Sequence, residues 1–266
     1  TLVVVNCAGR TRSIIGCQSL INAGIKNQVV ALKNGTMGWR LAGYDLDYNQ
    51  KHCAPNPTPK GLAKAQECAK RVAERFGVQT INRQTFDEWL GESNSRSLYV
   101  FDVRSPEEYE AGHLSGTVSA PGGQLVQSTD RFVGTLNSRI VLIDNDGVRA
   151  IMTASWLRQM GWSDAVVLGD AFEDSEIETG EPEPKILGLD QATPEMVTPE
   201  MVAEKLSDDS CVIVDLATSR SYHTGHIAGS WFIIRSRLPE NLKRLPSASN
   251  IILTSEDGQL AKLAAA

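Results

Sequence analysis

The sequence predicts an α/β protein in which parallel sheets are covered by helices on both faces. Three observations carry that expectation: apolar runs that do not alternate, helical stretches between them, and one strand-loop-helix pattern that recurs along the chain. A strand buried on both faces has no polar side, so its sequence loses the alternation of a half-exposed sheet.

The bulk composition narrows the class. With 266 residues, 41% of them hydrophobic, the chain can build one large or two ordinary domains. A formal net charge of −6 leaves little basic surface to offset repulsion from phosphates, and no nucleic-acid role is expected. The five cysteines, Cys7, Cys17, Cys53, Cys68 and Cys211, are odd in number and irregularly spaced. They read as free thiols in a reducing, cytoplasmic compartment rather than as a disulfide framework. No apolar run approaches the ~20 residues of a membrane helix and no signal peptide is visible, so no membrane association is expected. The chain opens on a core-like strand without a methionine, which leaves room for an upstream segment.

The organising signal is an internal repeat. YVFDVRSPEEYEAGHLSGTVSAPGG at residues 99–123 matches VIVDLATSRSYHTGHIAGSWFI at 212–233, pairing Asp102 with Asp215, Tyr109 with Tyr222 and Gly112-His113 with Gly225-His226 at one offset. Each is followed by an apolar strand, a short loop and a helix: RIVLIDNDGVRAIMTASWLRQMGW from Arg139, and NIILTSEDGQLAKLAAA from Asn250. The opening VVVNCAGRTRSIIGCQSLINAG is a third copy of this later element. The chain therefore reads as the back half of one unit (residues 1–48), a linker with a helix (49–77), one whole unit (78–185) and the front part of another (186–266).

The elements follow in order. Thr58-Pro59 supplies an N-cap and first helical residue, after which Leu62, Ala65, Ala69, Val72, Ala73 and Phe76 share one helical face. Asn82 can cap a short helix carrying Phe86, Trp89 and Leu90; strands are expected at 98–103, 139–143 and 165–168, with a helix bearing Ile151, Trp156 and Leu157 before the last. Residues 173–183 hold six acids and no base, with Pro182 and Pro184 at their end, and are expected to be exposed and mobile. Of two helix starts in TPEMVTPEMV, the second is favoured, because Met201, Val202 and Leu206 then form an apolar stripe.

Cys7 is the chemically informative residue. It lies at the base of a loop between a strand and a helix, where loop amides and the helix start converge as in an anion site. The amides of Ala8, Gly9, Arg10, Thr11, Arg12 and Ser13 would curve around its sulfur, with two guanidiniums adding positive field; such surroundings favour the thiolate. Gly9 is expected to give the loop its tight turn. The other cysteines read as ordinary packing thiols, Cys17 and Cys68 on helices and Cys211 at a strand start. Zinc is disfavoured: His223, His226 and Cys211 could be assembled as ligands, but Gly112-His113 repeats the motif without a second histidine.

These residues resemble the rhodanese (thiosulfate sulfurtransferase) family. Asp102-Val103-Arg104, Glu107 to Tyr109 and Gly112-His113-Leu114 are similar to its first signature, Cys7 to Arg12 to its active-site loop, and LKNGTMGWRLAG from Leu32 to its closing signature. The resemblance implies tandem rhodanese-like three-layer αβα domains with a central parallel sheet. It implies a sulfurtransferase in which Cys7 carries a persulfide between a small anionic donor such as thiosulfate and a cyanide or thiol acceptor. Residues 8–13 would bind substrate, and neither cofactor nor metal is required.

The same alignment puts Asp144 at the cysteine position of the middle unit and Ser255 at that of the last, with Arg149 matching Arg12 and Leu260 replacing it. Both units are expected to be catalytically silent, and Asp102, Arg104 and His113 to be structural. The missing half-domains are expected to come from other chain segments or a companion chain. Phosphatase or arsenate-reductase chemistry is disfavoured, since arginine stands one position early at Arg12 and Ser13 occupies its place. The remaining alternative is a sulfur carrier or interaction scaffold with little turnover.

Overall fold

A computed structural model describes residues 1–50, 54–173, 175–181, 186–207 and 210–266. Cys53, Pro182 and Pro184 lie outside the described residues. The chain forms two compact units, Thr1–Pro182 and Glu183–Ala266.

The first unit opens with β1 (Val3–Val5), α1 (Thr11–Asn22), β2 (Val29–Ala31) and α2 (Gly35–Leu41). β1 and β2 pair in parallel, Val3 opposite Val29. Leu2 and Val4 are exposed, whereas Val141, at the place of Val4 in the repeat, is fully buried. Next comes α3 (Pro59–Phe76), started as expected: the Thr58 hydroxyl accepts the Gly61 N–H at 3.1 Å. Its stripe is also the expected one, Ala69 and Val72 buried and Leu62, Ala65, Ala73 and Phe76 half-buried.

β3 (Gln79–Ile81) leads to α4 (Arg83–Gly91), whose Asn82 cap accepts the Thr85 N–H at 3.0 Å. β4 (Leu98–Asp102) precedes α5 (Pro106–Ala111), opened by a capping box in which Ser105 and Glu108 each bond the other's backbone N–H. Then follow β5 (His113–Leu114), β6 (Val118–Ser119), α6 (Gly122–Gln127), β7 (Arg139–Ile143), α7 (Arg149–Gln159) and β8 (Ala165–Leu168). The five-stranded sheet runs β3-β8-β7-β4-β6 and every pairing in it is parallel.

Successive residues of β7 feed opposite cores, which explains the unbroken apolar run. Ile140 and Leu142 pack with Leu125, Ala154 and Leu157; Val141 and Ile143 pack with Phe86, Leu114 and Leu168. These four side chains are fully buried, each contributing about 1.5–3 kcal/mol of apolar transfer. α3 packs against α7 on the first of these faces.

The acidic stretch differs from the expectation of a mobile tether. β9 (Ile177–Glu178) pairs antiparallel with β5, His113 opposite Glu178. The Ser115 hydroxyl donates to the Glu178 carboxylate at 2.6 Å, and the Gly180 N–H to the Glu110 carbonyl at 2.8 Å. The backbone of β5 lies off the main sheet, and pairing with β9 supplies the partners its polar groups require. The side chains of β9 are exposed, as the charge run implies.

The second unit contains α8 (Pro199–Ser207), β10 (Cys211–Asp215), α9 (Ser219–Thr224), β11 (Trp231–Phe232), α10 (Leu238–Leu242), β12 (Asn250–Thr254) and α11 (Gln259–Ala265). Helix α8 uses the second of the two starts; Val202 and Leu206 are half-buried while Met201 stays exposed. The sheet order is β11-β10-β12, all parallel, over a core of Val212, Val214, Leu216, Ile233 and Leu238.

The repeated signature is a corner. Tyr109 stacks on His113 at 3.7 Å between centroids, donates its hydroxyl to the Thr117 carbonyl at 2.7 Å, and has its own carbonyl 2.8 Å from His113 Nδ1. Tyr222, His226 and the Ser230 carbonyl repeat this at 3.7, 2.7 and 2.6 Å. In the middle unit Asp102 accepts the backbone N–H and guanidinium of Arg104, whose Nη2 also reaches the Gly112 carbonyl at 2.6 Å. Asp215 keeps only the backbone half of that pattern, from the Ala217 N–H at 2.8 Å. No helix among the described residues is long and apolar enough to cross a membrane.

Candidate active site

Cys7 sits two residues beyond β1 and four before α1, half-buried at the floor of the loop. Its thiol is held below the ordinary cysteine value. The first cause is the Ser13 hydroxyl, opposed by partial burial and supported by the backbone amides of Gly9 and Ser13 and the charge of Arg12. The single Ser13 hydroxyl proton bonds the Arg10 carbonyl at 2.9 Å; a thiolate is the stronger acceptor and competes for it. Ser13 is only 1% exposed, so it faces the sulfur rather than the outside. Ala8, Arg10 and Thr11 are exposed around the rim, and Gly9 and Arg12 are half-buried. Of the two guanidiniums, Arg12 is the one whose charge acts on the thiol.

The loop is held from below by α2. The Thr36 N–H donates to the Cys7 carbonyl at 2.9 Å and the Met37 N–H to the Ala8 carbonyl at 3.0 Å. This close approach passes over Gly35, whose φ is +57° and where a Cβ would lie 2.1 Å from the Cys7 oxygen. Glycine is required at position 35. Gly9 does not have the role expected of it: its φ is not positive, and a Cβ there would meet nothing within 4 Å. The tight turn is unnecessary because the constraint comes from the neighbouring helix, and no signal within the loop itself points to Gly35.

In the middle unit the cradle is occupied by its own carboxylate. Asp144 accepts the N–H groups of Gly147, Val148 and Ala150 at 3.1, 3.0 and 2.8 Å. Burial and the hydrogen bond with Asp146 push Asp144 up to about 6. Asp146 moves the other way: burial opposes its ionisation, but Asp144, the Val148 and Arg149 amides and the Arg149 charge prevail. Arg149, the counterpart of Arg12, is bound by Asp146 at 2.6 Å and by both oxygens of Glu108 at 2.6 and 3.0 Å. The Arg149 bonds, with help from the Ser105 N–H, hold Glu108 down at about 2 despite some desolvation.

In the last unit the Ser255 hydroxyl accepts the Ala261 N–H at 3.2 Å, and Leu260 packs on the core where the arginine would be. The same amide, six residues after the key position, thus addresses residue 7, 144 or 255 in turn. One cradle carries a thiol with an unpaired guanidinium beside it, among the described residues; one carries a carboxylate with its arginine committed; one carries a hydroxyl with no arginine. Such a loop can stabilise one anionic atom at its floor.

The Rhodanese-like domain family matches residues 82–175 and 198–266. The chain is 43% identical to a structure of thiosulfate sulfurtransferase from Pseudomonas aeruginosa, with a TM-score of 0.90 over 99% of this chain and 50% of that one. It is 26% identical over 115 residues to YrkF of Bacillus subtilis (strain 168), described as a candidate sulfur carrier protein, covering 43% of this chain and 57% of YrkF. The chain spans roughly half the length of these relatives. With its parallel sheets, the twice-built tyrosine-histidine corner and family matches over both corner-bearing regions, the chain belongs to the rhodanese-like domain family.

Proposed function

We propose that the chain is part of a sulfurtransferase in which Cys7 is the persulfide-carrying nucleophile. The observation that carries this is the contrast among the cradles: the loop that retains cysteine is the one whose surroundings lower the thiol and leave Arg12 without an ion-pair partner among the described residues. The Cys7 thiolate attacks the outer sulfur of thiosulfate, the S–S bond breaks, and sulfite leaves with the electron pair. Cyanide or a thiolate then removes the sulfane sulfur and regenerates Cys7. Thiosulfate as donor is supported by the similar Pseudomonas aeruginosa protein. Ala8, Gly9, Arg10, Thr11 and Arg12 line the approach, while Ser13 sustains the thiolate from beneath.

Residues 1–48 are the back half of a catalytic rhodanese unit, 49–77 a linker, 78–185 a complete silent unit and 186–266 the front of another silent unit. Asp144, Arg149 and Ser255 mark degenerate sites. Incubation with thiosulfate followed by intact mass measurement should show one added sulfur, removed by cyanide and absent from Cys7→Ser. A folded protein that takes up no sulfur rules the reading out. A second reading, a sulfur carrier or scaffold, is favoured by two silent cradles and by the similarity to YrkF. It predicts loading at Cys7 without multiple turnover.

A further inference from the structure

The loops around Cys7 and Asp144 are held in different ways. Asp144 ties its own loop, because its carboxylate accepts three of the loop's N–H groups. A thiol is a weak acceptor, so the loop of Cys7 needs an anchor from outside. Two side chains supply one. The Asn6 side-chain amide donates to the Thr36 hydroxyl at 3.0 Å, which leaves the hydroxyl proton for the Cys7 carbonyl at 3.4 Å. The Thr36 N–H meets the same carbonyl at 2.9 Å.

The same two positions carry different chemistry in the middle unit. The strand registers place Ile143 where Asn6 stands and Phe172 where Thr36 stands. Ile143 is fully buried, and Phe172 packs against the same apolar cluster. Among the described residues, no backbone N–H of 171–173 reaches the Asp144 carbonyl. An apolar contact therefore suffices for folding at this place, and the polar pair accompanies the cysteine.

Anchoring a carbonyl also aims an amide, since a trans peptide is planar and its N–H opposes its C=O. Thr36 holds the Cys7 carbonyl, and the Met37 N–H holds the Ala8 carbonyl at 3.0 Å. The N–H groups of Ala8 and Gly9 are thereby turned away from α2, and the Gly9 amide is one of those that act on the sulfur. We propose that Asn6 and Thr36 form a clamp that positions the Cys7 loop for sulfur transfer, acting through the Cys7 carbonyl. Both are positioning residues, and the inference rests on the sulfur-transfer reading of Cys7.

The test loads the whole chain with thiosulfate, follows uptake by intact mass, and records the rate of Cys7 alkylation by iodoacetamide against pH. Thr36→Val removes the hydroxyl and nearly keeps the shape; loading should slow about tenfold, and the alkylation midpoint should move up. Asn6→Ala should slow loading about threefold. Added to Thr36→Val it should cost under about twofold more, because both side chains act through one bond. Thr36→Ser keeps the hydroxyl and should hold rate and midpoint at those of the parent. A general loss of stability would leave the midpoint in place, so slowed loading with an unmoved midpoint overturns the clamp. Unchanged loading in Thr36→Val and Asn6→Ala also overturns it, and in both cases a parent that loads leaves sulfur transfer standing. A folded parent that takes up no sulfur overturns sulfur transfer, and with it the clamp's part in that reaction.

Discussion

Cys7 and Asp144 stand at the same place in two copies of one loop, and the surroundings of each follow from the charge it carries. Around Cys7 the donors are a hydroxyl, two amides and an uncommitted guanidinium. Around Asp144 three amides are already bonded to a carboxylate, and the matching arginine is tied to two acids. The fold of the cradle therefore does not depend on the cysteine; what varies is whether its anion is built in or must arrive. A built-in carboxylate already satisfies the amides, whereas a thiol leaves them for whatever negative charge forms at or reaches the sulfur.

The contrast can be broken from the cysteine side first. The strand pairings place Ala171 where the Cys7 unit has Gly35, so Gly35→Ala copies the middle unit. Its Cβ would fall 2.1 Å from the Cys7 oxygen, and the loop must move; sulfur loading measured by intact mass should slow by about 100-fold. Ser13→Ala likewise copies Ala150 and removes the leading cause of the lowered thiol. Alkylation of Cys7 by iodoacetamide should slow about threefold or more at pH 7, with the midpoint of the rate-pH profile moving up. A profile that stays in place would assign the thiol's acidity to the amides and Arg12 alone.

From the Asp144 side the test is pH. Asp144 is raised to about 6 by burial and by Asp146, so the folded protein binds its proton more tightly than the unfolded chain does. The stability this contributes is present below the ordinary aspartate range and is lost as pH rises through about 6. Asp144→Asn removes that loss. Relative to the parent, urea unfolding should show the variant gaining roughly 1 kcal/mol or more between pH 4 and pH 7. A constant difference across that range would mean that Asp144 ionises without cost. The smallest effect is expected of Glu108→Gln, which releases one side of Arg149. Both partners are more than a third exposed, so the loss should be under about 1 kcal/mol in thermal denaturation.

Much of the architecture was legible because it is local. Thr58-Pro59 and Asn82 act within one turn, and the two-sided burial of β7 is written in four consecutive apolar residues. The Cys7 loop is legible as a loop, yet the sequence points to amides and arginines as the source of its acidity, where the Ser13 hydroxyl leads. Two features were not legible, since each joins residues far apart in sequence. Gly35 matters only through contact with a carbonyl contributed by Cys7. The acidic run reads as a solvated tether until β5 appears as its partner across the chain.

The tyrosine-histidine corner has a consequence for recognition. Its ring stack and its hydroxyl bond to a carbonyl eight residues on are complete in both copies, although neither of those units has a cysteine at its cradle. The family matches, at 82–175 and 198–266, fall on these two copies and leave residues 1–48 outside. The corner is a mark of ancestry and not of reactivity: it persists because it folds the chain, whatever happens at the neighbouring loop. Kinship read from that motif says that a protein is built this way, and whether it can carry sulfur must be asked of a different residue.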